Sequence, residues 1–114
     1  MTKERKEYIV NLFRNYHENK KYLKFESTKR KADMSEEEKN YFKQLKNKVE
    51  VVDKIIFSLG LEEPMKGKFV TEHFINGVTL KRLSFDLFLA ESTLSRWRIR
   101  FFEVAEPWLK HYGL

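Results

Sequence analysis

Three arginines stand at alternate positions in the stretch S-T-L-S-R-W-R-I-R-F-F, residues 92 to 102. A guanidinium group is a planar fork of donors that grips phosphate, carboxylate or the major-groove edge of guanine. Other chemistries are poorly represented. His17, His73 and His111 lack metal-ligand spacing. No H-E-x-x-H occurs, and Gly67-Lys68 is not followed by the Ser or Thr of a phosphate loop. The acids lie in charged, helix-like runs, where solvation accounts for them. The expectation is a protein that binds rather than catalyses, with no metal and no cofactor.

How the arginines are presented depends on the element that carries them. From Arg96 to Phe101 charged and apolar residues alternate, the mark of a half-buried strand. On a helical wheel, however, Leu94, Trp97, Phe101, Val104, Ala105 and Trp108 share one face, with Phe102 and Leu109 at its edge. Ser92, Ser95, Arg96, Ile99 and Arg100 gather opposite. The helical match spans 92–109 and the alternation only six residues, so the longer pattern predicts a helix. Arg98 falls at the margin, its stem over hydrophobes and its charge in water. Pro107 should kink or stop the helix near Ala105.

The rest of the chain must hold that helix in place. It has 114 residues, enough for a modest core, with 41% hydrophobic and 35% charged residues. Four glycines and two prolines are too few for the turns of an all-β domain. A first helix is expected over 3–25, with Ile9, Leu12, Phe13, Tyr16 and Leu23 at helical spacing. Residues 27–35 interrupt the pattern and carry the basic cluster Lys29-Arg30-Lys31. Ser35 followed three residues later by Glu38 has capping-box spacing. It should start a second helix over about 36–59, with Tyr41, Phe42, Leu45, Val49, Val52, Ile56 and Leu59 inward. From Leu45 the apolar steps follow a heptad, which leaves two readings, an antiparallel hairpin or a dimer seam. Gly60 should end this helix. Pro64 should open a third over 64–75, burying Met65, Phe69, Val70 and Phe74 before the turn Asn76-Gly77. Thr79 can cap a short helix over 80–87 with Leu80, Leu83 and Leu87 inward. The expected fold is all-α: an N-terminal helical hairpin (1–60), for oligomerisation or as a scaffold, then a helix-turn-helix region (61–114) of about three helices.

The net charge of +6 is uneven. Residues 1–34 carry ten basic and five acidic groups, 35–63 five and seven, and 64–114 eight and five. Such a balance favours a polyanionic partner. The chain has no cysteine, which fits a reducing compartment. It shows no secretion signal and no apolar run near the roughly 20 residues of a membrane span. It is expected in the cytoplasm, with no membrane partner.

A short helix, a tight turn and a longer helix with a polar start make a helix-turn-helix. The segment T-L-K-R-L-S-F-D-L-F-L-A-E-S-T-L-S-R-W is similar to that motif in sigma-factor-like regulators. Leu83 and Leu87 match the buried positions of its first helix. Leu89, Leu94 and Trp97 match those of the turn and the second. The wider run from F-V-T-E-H-F to E-P-W-L resembles the C-terminal half of phage late-gene transcription activators of the RinA/ArpU kind. The likeness covers about residues 49–114. It implies an all-helical fold, a DNA-binding end and a role in switching on late genes of phages or pathogenicity islands in a bacterial host. Two positions depart from the pattern. Phe88 stands where the turn usually has a glycine, and Ala90, beside Glu91, stands where Ser or Thr often precedes the recognition helix.

The residues expected to meet double-stranded DNA are these. Arg96 is placed to read guanine, and Arg100 to hold base or phosphate unless it pairs with Glu103. Ser92, Thr93 and Ser95 can bond phosphate or cap the helix. Ile99 can touch a thymine methyl, and Lys81 and Arg82 can hold phosphate. The basic cluster at 29–31 would add nonspecific attraction. Trp97, Phe101 and Trp108 belong to the core. A homodimer on paired half-sites is the natural form for such a regulator. Its candidate seams are the N-terminal hairpin and the aromatic C-terminal tail, and RNA polymerase is a further candidate partner. Two alternatives remain: a phage packaging protein resembling a small terminase subunit, and a helical protein-interaction module that binds no DNA.

Overall fold

The protein is described by a computed structural model covering residues 1–28 and 33–114. It is all-α, and among the described residues there is no strand. The basic cluster Lys29-Arg30-Lys31 lies outside the described residues.

Local signals start the helices where sequence reasoning puts them. Helix α1 (Lys3–Arg14) is capped by Thr2, whose hydroxyl accepts the Arg5 N–H at 3.1 Å. The expected 3–25 helix is broken at Asn15 (φ −90°, ψ 5°), and α2 (Tyr16–Glu26) follows. The break has a tertiary cause. It lets α1 pack on the C-terminal half while α2 lies along α3, with Tyr16 buried and its hydroxyl donating to Asp53. Burial, and then that bond, push the Tyr16 hydroxyl up to about 12.

Helix α3 (Glu36–Glu62) starts with the expected cap, the Ser35 hydroxyl accepting the Glu38 N–H at 3.1 Å. It does not stop at Gly60 but runs two residues further. Helix α4 (Pro64–Val70) follows directly, Pro64 in its first turn. A Cβ on Gly67 would lie 3.3 Å from the Gly60 Cα, so α4 lies almost against the α3 backbone at this pair. Gly60 serves a close crossing, not a helix end. On α3, Tyr41 points out, while Val51 and Ile55, absent from the expected set, are fully buried. Of the heptad stripe, Leu45, Val49, Val52 and Leu59 are buried within the single chain and Ile56 is half-buried.

After α4 the chain widens into one π-helical turn (Thr71–Ile75), which turns Phe74 into the core, and Gly77 closes it at φ 74°. Thr79 caps α5 (Leu80–Leu87), accepting the Arg82 N–H at 3.2 Å. Helix α6 (Glu91–His111) is the last. It does not stop at Ala105 but continues through Pro107 to His111. A proline inside a helix costs about 3 kcal/mol, and here the continued turns offset it. Leu109 is fully buried, Trp108 Nε1 donates to Ser58 Oγ at 3.0 Å, and Glu106 pairs with Arg5 of α1 at 2.9 Å. Phe102 and Leu109, expected at the edge of the apolar face, are both buried.

One core joins both halves of the chain across residue 60. Phe13 meets Phe101 edge-on at 4.9 Å, and Phe74 stacks on Phe101 at 4.0 Å. Trp108, Tyr112 and Leu114 pack against this cluster, which engages the aromatic C-terminal tail within the monomer. Among the described residues no helix is long and apolar enough to cross a membrane.

Candidate nucleic-acid interface

Helix α6 is pinned by its inner face. Leu94 and Phe101 are fully buried, and Trp97, half-buried, lies edge-on to Phe69 at 6.1 Å. With that face fixed, the helical period turns Ser92, Ser95, Arg96, Ile99 and Arg100 outward, and all five are exposed. The helical reading of the arginine-rich stretch therefore holds.

The turn before α6 has the conformation that its glycine-free sequence makes costly. Phe88 sits at φ 55°, ψ 40°, in the left-handed region, with its N–H bonded to Ser84 O. Non-glycine residues enter this region at a cost of about 1–2 kcal/mol. The Ser84 hydroxyl donates to the Leu89 carbonyl and ties the turn shut, while Leu89 packs on the core. Helix α6 then begins at Glu91 with Ala90 as its N-cap and no side-chain cap. Ser92 and Thr93 lie inside the helix and do not cap it. Glu91 in the first turn suits the positive end of the helix dipole.

The cations expected to bind DNA have unlike surroundings. Arg96 reaches back one turn to donate to Thr93 Oγ1 at 3.3 Å, a neutral contact, and pairs with no carboxylate among the described residues. Lys81 is exposed at the start of α5. Arg82 Nε shares its N–H between the two Asp86 carboxylate oxygens, at 3.0 and 3.2 Å. Arg100 is forked onto Glu62 at the end of α3, with bonds of 2.7 to 3.1 Å, and approaches Glu103 at 3.9 Å. Glu62 also takes Lys66 at 3.0 Å. These bonds, from Arg100 first and Lys66 second, hold the Glu62 carboxyl down at about 2. The structure thus exposes Ser92, Ser95, Arg96, Ile99, Arg100, Lys81 and Arg82, leaves Thr93 half-buried, and makes Arg96 and Lys81 more available to an anion than Arg82 and Arg100.

Sequence reasoning missed part of this surface. The Arg98 guanidinium lies 5.7 Å from the Phe102 ring centre, as expected for a stem over hydrophobes, and Lys6 of α1 lies 5.6 Å from the same centre. Two cations from opposite ends of the chain thus meet beside α6. No local pattern could bring Lys6 there. Phe85 and Phe88, just ahead of α6 in the chain, are 78% and 93% exposed. Ile99 is 64% exposed among the polar residues. Set against family models, curated proteins and solved structures, the chain matches none of them.

Proposed function

We propose that the chain is a sequence-specific DNA-binding transcription regulator in which α5, the turn at Phe88 and α6 act as a helix-turn-helix. The observation that carries this reading is the outward face of the first two turns of α6. It presents Arg96 without a counter-charge, between Ser92, Ser95 and Ile99, on a helix locked to the core by Leu94 and Phe101. A recognition helix needs that combination: rigid support behind, and donors in front that reach base edges. Lys81, Arg98 and Lys6 supply phosphate contacts around it. The resemblance to late-gene activators suggests the role, activation of phage or pathogenicity-island genes, with RNA polymerase as a further partner.

The test is binding of the protein to its own upstream DNA across a salt series. Affinity should fall linearly on a log–log plot as salt rises. An Arg96→Ala/Lys81→Ala variant should bind more weakly and with a shallower slope while its circular dichroism stays that of wild type. Equal binding by that variant moves the contact to another surface.

A second reading, a protein-interaction module, draws on Phe85 and Phe88. Two exposed aromatics three residues apart, Phe85 on α5 and Phe88 on the strained turn after it, suit a protein partner better than a phosphate backbone. In that case Phe88→Ala abolishes partner capture and the DNA titration stays flat.

A further inference from the structure

A second surface, away from the arginine face, is built to receive another copy of this chain. Where α3 crosses α4 the surface forms an open hollow of about 490 Å³, floored by Ile56, Gly60 and Gly67. A Cβ built on Gly60 meets nothing within 4 Å, so the notch beside it is open. One wall is a ridge of two large hydrophobes one helical turn apart, Phe57 and Leu61, which are 65% and 72% exposed. The other wall carries Lys68 and Glu72. Large apolar groups exposed this far are ordinary singly but unusual as a pair beside an apolar notch.

Ridge and notch on one surface are self-complementary. A two-fold axis over this face sets the Phe57–Leu61 ridge of each copy into the notch of the other, the isologous arrangement of a closed dimer. Charge agrees with that pairing. Exposed Lys54 lies one turn before Phe57 on the outer flank of the ridge, and Glu72 stands across the notch. Seating each ridge in the partner's notch carries the Lys54 of one copy toward the Glu72 of the other, twice per dimer. Glu72 otherwise accepts one long bond from Asn76, at 3.3 Å. The aromatic tail packs on the core within the monomer, as do Val49, Val52 and Leu59 of the α3 stripe, while Ile56 of that stripe faces the hollow. We infer that the chain forms a two-fold dimer through the α3–α4 face, with Phe57 and Leu61 as its apolar anchors and Lys54–Glu72 pairs at its rim.

The inference stands on this surface and not on DNA binding, so it is tested without DNA. Sedimentation equilibrium of the full chain in the micromolar range should show a monomer–dimer equilibrium. Phe57→Glu/Leu61→Glu should raise the dimer dissociation constant at least roughly 100-fold. Both residues are exposed, so the helical signal should persist. Lys54→Glu or Glu72→Lys alone should raise the constant about tenfold, and the double reversal should restore most of it. Arg96→Ala, which tests the DNA reading, should leave it unchanged. A wild type that stays monomeric overturns the inference. So does a Phe57→Glu/Leu61→Glu variant that dimerises like wild type, or a double reversal no better than its parents. A protein of another kind on this face would appear as the first of these outcomes.

Discussion

The outer face of α6 divides into two regions one helical turn apart. In the first two turns Arg96 faces outward with a neutral hydroxyl as its neighbour. In the third, Arg100 is forked onto Glu62 and close to Glu103. Both are exposed arginines on one face of one helix, and sequence alone treats them alike. Their difference lies in what another helix brings to them. The end of α3 delivers a carboxylate to Arg100 and none to Arg96. The first region is therefore available to a polyanion, and the third fastens α6 to α3.

The largest expected effect separates the two directly. Arg96→Ala should weaken DNA binding by roughly 1–3 kcal/mol, the range for a forked base contact, with stability unchanged. Arg100→Ala should weaken binding far less. It should instead lower stability by a fraction of about 1 kcal/mol, the worth of a solvent-screened ion pair. Titrations of both variants at one salt concentration, with chemical denaturation alongside, check the contrast. Equal losses of affinity would erase the division.

That division shows where sequence reading stops. The caps at Ser35 and Thr79, the first-turn Pro64 and the left-handed Gly77 were legible because each depends on residues within a few positions. The inner face of α6 was legible because four turns of periodicity outweigh six residues of alternation. The features that escaped are tertiary. Asn15 breaks a helix because α1 and α2 have different partners. Gly60 continues one because α4 needs a close approach there. Pro107 stays helical because Leu109 and the Arg5–Glu106 pair hold the turns beyond it. The Arg100–Glu62 pair spans 38 residues and the Arg5–Glu106 pair 101, so no local window contains either partner set. Of the candidate interface, the list of exposed residues was readable. Which of them are neutralised, and that Lys6 reaches the Phe102 ring alongside Arg98, was not.

The turn in front of α6 offers a control of intermediate size. Phe88 holds a left-handed backbone and is 93% exposed, so its side chain returns little packing to the fold. Phe88→Gly removes the strain and should raise stability by about 1 kcal/mol, with Arg96 undisturbed and DNA affinity near that of wild type. Thermal unfolding measures the first and the DNA titration the second. A stability loss would mean that Phe88 packs in solution. A loss of affinity with stability gained would assign the ring to a partner contact, and the free region of α6 would then extend back into the turn.

The smallest effect sharpens the comparison most, because it turns one region into the other. Glu62→Gln keeps the side-chain shape and removes the charge that holds Arg100. With the guanidinium freed, the third turn should behave like the first. DNA affinity should rise by roughly two- to fivefold, and the salt slope should steepen by about 0.9, one more phosphate contact. The same variant has a signature in acid. The Glu62 carboxyl is held at about 2, below its ordinary range, by Arg100 and then Lys66. A carboxylate depressed in this way contributes stability above its unfolded-state value, and the contribution is lost as pH falls toward 2. Glu106, lowered by Arg5, acts in the same direction. Wild type should therefore lose stability between about pH 4.5 and 2, and Glu62→Gln should lose less across that window while keeping the part due to Glu106. If Glu62→Gln leaves both the salt slope and the acid limb unchanged, Arg100 is already free in solution and the two regions of α6 are one.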